Sequence, residues 1–341
     1  MSQLLSLNSM PDNYIIRLNE AMIISLEGEQ ADSYLHGQLT VNINKLEGDT
    51  ARHYAHCDNK GKTWSLGYVA REGNRILMIS NQSSGAHSLA QLNKYGVFSK
   101  VDIVDDTQAY TTLFVSSSIA QKLLSKVFQD TDFVELLAEA PSQDALRCAS
   151  SEAGIMFNAG LQSPGLIVVL RNDVAATLLD ALNDDIAVYD QTVFDALQIK
   201  SVHAAIDDNA VAEYVPQMMN VQALEGIDFD KGCYMGQEVV ARTRFLGKNK
   251  RAAFSFTLDS AVVVPTGSAV EKQLGENWRI AGKVIHSAML GNETWFLAVL
   301  NNDTTTEDLH RLADNHDVTC YPNALPYNIE QQASNIVKKR R

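Results

Sequence analysis

Lys231-Gly232-Cys233-Tyr234-Met235-Gly236-Gln237-Glu238-Val239-Val240-Ala241-Arg242-Thr243-Arg244 is the stretch on which the reading of this chain turns. One cysteine stands between two glycines, which tolerate backbone conformations that a Cβ forbids. After Gly236 the pattern is helical: Val239 and Val240 form an apolar side, while Gln237, Glu238 and Arg242 can face water. A thiolate at Cys233 would gain from the helix N-terminus ahead of it and from Lys231 two residues away. A free cysteine is equally well known as a small core side chain. Both readings of Cys233 stand at this point.

The run extends on both sides. Upstream are Val215-Pro216-Gln217 and Asn220-Val221-Gln222-Ala223-Leu224-Glu225-Gly226-Ile227; downstream are Phe245 and Asn249-Lys250-Arg251-Ala252. Together with Lys231-Gly232-Cys233-Tyr234-Met235-Gly236-Gln237-Glu238 they resemble the signature of the YgfZ family. Those are folate-binding proteins similar to the T-protein, the aminomethyltransferase of the glycine cleavage system. The resemblance is sharpest from Val215 to Ala252 and extends over most of the chain. It implies a long folate-binding portion followed by a compact β-barrel.

Composition sets the outer bounds. The chain has 341 residues, 45% hydrophobic and 20% charged, enough for two or three domains with a sizeable core. Met1 to Met10 lacks the basic and apolar regions of a signal peptide. No stretch approaches the roughly 18 unbroken apolar residues of a membrane span. A cytoplasmic location without membrane partners is expected. Cys57, Cys148, Cys233 and Cys320 lie far apart, so no Cys-x-x-Cys zinc or dithiol motif exists and reduced, unpaired thiols are expected. The net charge of −13 argues against a general nucleic-acid binder. A local basic stripe, Arg242, Arg244, Lys248, Lys250 and Arg251, can still attract an anion.

Read in order, the chain alternates short strands and helices. Ala21 to Leu26 is a strand, and Gly28 leads to a helix through Ala31, Tyr34 and Leu35. His53, His56 and Cys57 suggest a metal cluster, but a strand would point the two histidines to opposite faces, and no metal is assigned. Asp58-Asn59-Lys60-Gly61 is a turn, followed by strands at Trp64 to Ala70 and Ile76 to Ile79. A helix ends near Gly96, with strands around Val101 to Val104 and Thr112 to Val115 after it. Ser118 and Asp173 are candidate caps of two further helices, separated by a strand at Leu166 to Leu170. This is α+β, with helices packed on mainly antiparallel sheets. After Arg251 come strands at Phe254 to Leu258, Ala269 to Leu274, Ile280 to Ser287 and Thr294 to Leu300, with a helical piece near Leu309. That is a small β-barrel. The expected division is 1–247 for a folate-binding region of two intertwined subdomains, 248–328 for the barrel, and 329–341 for a mobile basic tail.

The family pattern also has departures. In the T-protein an aspartate after a Gly-Gly turn carries catalytic duty; here Gly61-Lys62-Thr63-Trp64-Ser65-Leu66 puts Trp64 and Ser65 in its place. A tryptophan cannot take a proton at neutral pH. Relatives often carry tryptophan near positions 21 and 194 and glutamate near 200; this chain has Ala21, Phe194 and Lys200. Phe194 keeps a flat apolar face for stacking on a pterin.

The resemblance therefore implies a folate-binding accessory factor for assembly or repair of iron–sulfur clusters in client enzymes, including those that modify tRNA. It places Cys233 as the working residue with Lys231 supporting its charge. Phe194, Tyr234, Gln237 and Arg242 are the implied contacts to tetrahydrofolate or another folate, and Glu238 the helix cap. Two rivals remain open: a folate-dependent one-carbon transferase, and direct tRNA binding through the basic stripe.

Overall fold

The structure, a computed structural model, describes residues 4–138, 145–183, 185–245 and 249–329. The chain begins with β1 (Tyr14–Arg17), β2 (Ala21–Glu27), α1 (Ala31–His36), β3 (Thr50–Cys57), β4 (Thr63–Glu72), β5 (Arg75–Asn81), α2 (Gln82–Gly96) and β6 (Asp102–Asp105). Next come β7 (Tyr110–Ser116), α3 (Ser117–Leu124), α4 (Phe133–Leu137), β8 (Leu146–Ser151), β9 (Gly154–Asn158), β10 (Gly165–Arg171), α5 (Asn172–Asp180), β11 (Ala187–Tyr189), α6 (Gln191–Lys200) and α7 (Gln237–Phe245). The first eleven strands form one sheet in the order β11-β1-β7-β10-β9-β8-β3-β4-β5-β2-β6. Only the β1–β11 pair is parallel among them.

The sheet narrows to two residue pairs, Thr50–Arg147 and Ala51–Leu146, where β3 meets β8. On either side of that joint each half has its own helical cover. Helices α1 and α2 bury Ile24, Leu26 and Met78; α3, α4 and α5 bury Leu113, Val115, Leu166 and Leu170. The opposite faces meet in a central cluster containing Ile16, Ile23, Phe114, Phe157, Ile167 and Phe194. Strand alternation explains why the strands read as unbroken apolar runs. In β10, Leu166, Val168 and Leu170 face the helices while Ile167 and Val169 face the centre.

Two expected caps are corrected. The N-cap positions of α3 and α5 are Ser116 and Arg171, because β7 and β10 run straight into their helices without a loop. Ser118 instead donates to Asp12 O at 2.5 Å, and Asp173 lies in the first turn of α5, where its charge suits the helix dipole.

The C-terminal sheet comprises β12 (Arg251–Leu258), β13 (Ala269–Leu274), β14 (Asn277–Met289), β15 (Thr294–Asn301), β16 (His310–Leu312) and β17 (Asn315–Cys320). Its order is β12-β15-β14-β13-β16-β17. The chain after β17 returns to β12 through a bridge between Phe256 and Pro322 and a bond from Asn323 N to Ser255 O of 2.8 Å, which closes the sheet around stacked Phe256 and Phe296. The helical expectation near Leu309 is corrected: β16 pairs with β13 and β17 there, and that long-range pairing outweighs a weak local helical pattern. Most of the expected basic tail, 330–341, lies outside the described residues, as does Lys248.

Candidate functional site

The signature residues form a loop clasped between α1 and the β3–β4 turn. Asp58 builds that turn by accepting from Lys60 N at 2.8 Å and Lys62 N at 2.7 Å. Gly236, at φ +82°, lies so close that a Cβ would stand 2.5 Å from Asp58 O and 2.8 Å from Gly61 Cα. On the other side Met235 N donates to Gly37 O at 3.0 Å. Gly232 has no such constraint: a Cβ there would meet only His36 Nε2, at 3.5 Å.

Within this loop Cys233 is exposed, whereas Cys57, Cys148 and Cys320 are buried. Burial pushes the thiols of Cys148 and Cys320 up to about 12 and that of Cys57 further, so these three stay protonated. Lys231 turns inward and donates to three carbonyls, His36 O at 2.5 Å, Leu39 O at 2.6 Å and Val41 O at 2.9 Å. Its three N–H directions are thereby committed to the α1 C-terminus. Tyr234 is buried, with the Lys231 ammonium 4.8 Å from its ring centre, and burial raises its hydroxyl well above the ordinary range. Gln237 is half-buried and Glu238 exposed in the first turn of α7. Of the basic stripe, Arg244 lies over the Phe229 ring at 3.8 Å and Arg251 donates to Ala281 O at 2.7 Å. Arg242 and Lys250 are exposed.

A cavity open to solvent lies between the two sheet halves and α6. Its apolar wall includes Leu18, Leu66, Ile79, Ile167, Phe194 and Met219. Glu20, Gln191, Asp195, Gln198, His53 and His203 supply most of its polar groups, and no Lys or Arg among the described residues lines it. His53 packs on Tyr68 and edge-on against His203 at 5.0 Å. Burial pushes His203 down to about 4 and His53 well below its ordinary value, so both imidazoles are neutral. His56 lies on the other side of β3 with Nδ1 2.7 Å from Ser88 Oγ, as strand alternation requires.

Of the expected folate contacts, Phe194 lines this cavity and Tyr234, Gln237 and Arg242 do not; the expected working pair, Cys233 and Lys231, is not among its lining residues either. Ala21 lines it, while Trp64, Ser65 and Lys200 do not. Trp64 packs on His56 and Tyr95 instead. Sequence reasoning missed Gln191, Asp195 and Gln198. The signal was present as spacing: with Phe194 they recur at three- and four-residue intervals on one side of α6, an inward face that carries polar groups.

Residues 249–315 match the family model of the YgfZ beta-barrel domain. The tRNA-modifying protein YgfZ of Pectobacterium carotovorum subsp. carotovorum (strain PC1) is 34% identical over 316 residues, 92% of this chain and 92% of that protein. This chain belongs to the YgfZ family. The YgfZ protein of Colwellia psychrerythraea (strain 34H / ATCC BAA-681) is likewise 34% identical, over 96% of this chain and 97% of its own. The YgfZ fold is in turn that of glycine cleavage system aminomethyltransferase T from Bartonella henselae. That structure has a TM-score of 0.67 at 14% identity, covering 94% of this chain and 87% of the other. No helix among the described residues is long and apolar enough to cross a membrane.

Proposed function

We propose that this chain is a folate-binding accessory protein. It supports assembly or repair of iron–sulfur clusters in client enzymes and, through them, tRNA modification, with Cys233 as its working thiol. The observation that carries folate binding is the cavity beside α6. A pterin is flat and apolar on its faces and carries hydrogen-bonding nitrogens and oxygen at its edge. The Phe194 ring and the aliphatic wall suit the faces, and Gln191, Asp195 and Gln198 suit the edge. Among the described residues no Lys or Arg lines the cavity, so the glutamate carboxylates of a folate belong outside it, with exposed Arg242 and Lys250 as candidate partners.

Cys233 supports the second half of the reading through its exposure, which leaves the sulfur open to a client protein. The relatives' name as tRNA-modifying proteins supports the link to tRNA. The test is Cys233→Ala and Cys233→Ser in cells lacking the wild-type gene. Activity of iron–sulfur enzymes and tRNA thiomethylation should fall in both variants while the purified proteins melt as wild type does. Full activity of the alanine variant would remove the thiol from the account.

One observation favours a second reading, one-carbon transfer. Burial and neighbouring Asp195 raise the Glu20 carboxyl at the cavity mouth above its ordinary value, which suits a group that exchanges a proton. Tetrahydrofolate binding without folate-dependent turnover of amine donors would exclude it.

A further inference from the structure

A barrel side chain, His286, approaches Asp195, a residue of the cavity's lining. The β14–β15 register shifts between Val284 and His286, and a bulge of this kind re-aims the residues beside it. His286 Nε2 stands 3.6 Å from Asp195 Oδ1, with both side chains largely buried. The same carboxyl oxygen accepts from Gln191 Nε2 at 2.9 Å, so Asp195 is held from its own helix and from the barrel. Glu20, in the β1–β2 turn, lines the same cavity and interacts electrostatically with both Asp195 and His286.

An acidic pair alone would be no more than a surface feature. Independently of it, His203 lines the cavity, is 4% exposed, and leaves Nδ1 without a hydrogen-bond partner. Gln191 Oε1 is also buried and unpartnered. Such atoms are costly to leave unsatisfied, and a polar ligand edge would satisfy them.

We propose that Glu20 and Asp195 receive the donor-rich edge of the cavity's ligand, a heteroaromatic ring with adjacent N–H groups, and that His286 is a positioning residue by which the barrel sets the orientation and charge balance of that pair. This rests on the folate reading and deepens it, since a pterin presents such an edge. The groups facing the pair are Gln191 from the same helix and His286 from β14. Across the cavity stand neutral His53 and His203, with Tyr68 beside them on β4. Ionised carboxylates accept N–H donors best, so affinity falls as pH drops and Glu20 takes up a proton. Burial and Asp195 raise the Glu20 carboxyl, and His286 opposes them. Removing His286 therefore moves the acid limb to higher pH, and removing the Asp195 charge moves it lower.

The experiment is calorimetric titration of the full chain with 5-formyltetrahydrofolate from about pH 4 to pH 8, a span that begins at the ordinary carboxylate value and extends above it. Wild type, His286→Gln and Asp195→Asn are compared, with circular dichroism confirming their folds. Asp195→Asn should weaken binding about tenfold or more at neutral pH and shift the acid limb down, while His286→Gln shifts it up. Folate binding by wild type with the limb and affinity unmoved in both variants overturns this proposal alone. Failure of wild type to bind either folate or its free pterin head overturns both this proposal and the folate reading.

Discussion

Lys231 carries an ammonium group into the interior and spends its three N–H bonds on His36 O, Leu39 O and Val41 O. These carbonyls lie at the last residue of the short helix α1 and in the turn after it, where backbone acceptors lack intrahelical donors. The lysine is thus a C-terminal cap supplied from almost two hundred residues away. Lys231→Met keeps the bulk and leaves the acceptors unmet, at a cost of about 2–4 kcal/mol. The pH dependence has a definite sign. Burial holds the folded ammonium down to about 7, while an unfolded lysine titrates near about 10.4. Between those values the unfolded chain binds the extra proton, so this residue's contribution to stability rises with pH and is flat below the window. Urea unfolding of wild type and Lys231→Met should show a stability difference that widens from about pH 7 toward pH 10. A pH-independent difference would contradict it. The sequence announced Lys231 as part of a motif, and the attraction of a nearby cation for a thiolate suggested one role. The acceptors that engage it come from α1 and the turn after it, and no local pattern around position 231 could reveal them.

At the scale of elements, the two signature glycines separate into different kinds. Gly236 has φ +82° and no room for a Cβ against Asp58 and Gly61, whereas Gly232 meets only an ordinary contact with His36. Gly236→Ala should lower stability by about 2 kcal/mol or more and free the loop that presents Cys233. Gly232→Ala should stay within about 0.5 kcal/mol of wild type. Chemical unfolding checks the energies, and the rate of Cys233 alkylation checks the loop. Equal effects from both substitutions would mean that the clasp to the β3–β4 turn is not what fixes the motif. Much at this scale was legible. The Asp58-Asn59-Lys60-Gly61 turn, the helix after Gly236 and the barrel strands all carry short-range signals of turn chemistry or alternation. The cavity was less so. Phe194 was identified, but Asp195 and Gln198 look like the solvent face of an amphipathic helix until α6 is seen lying between two sheet halves and a barrel.

The whole molecule is joined in more than one place. Asn220, in the left-handed region at φ 61°, pairs with β12 as a strand residue would. Its Nδ2 donates to Ala253 O at 2.9 Å and its Oδ1 accepts from Ala253 N at 3.1 Å. At the other end of the barrel, Leu7 N donates to Glu293 Oε1 at 2.6 Å, and Gly291 N and Asn292 N donate to Leu4 O and Leu5 O. Between these ties, α6 packs directly on β14 and β15, and barrel residues Ala253, Ile285, Leu297 and Val299 belong to the same buried cluster as Phe114 and Phe157. A barrel bound this way has no free interface along which to part from the sheet. Unfolding should be a single event in which tryptophan emission, dominated by barrel residues Trp278 and Trp295 beside Trp64 of the sheet, changes together with far-ultraviolet ellipticity. Asn220→Ala removes two buried bonds and a residue suited to the left-handed region, at about 2–4 kcal/mol. Both signals should move together to lower denaturant, because the N-terminal tie and α6 remain. Separate transitions in the wild-type chain would show the barrel folding as an independent unit. They would also remove the physical basis for expecting His286 to act on the cavity, since that action requires the barrel and α6 to hold one arrangement.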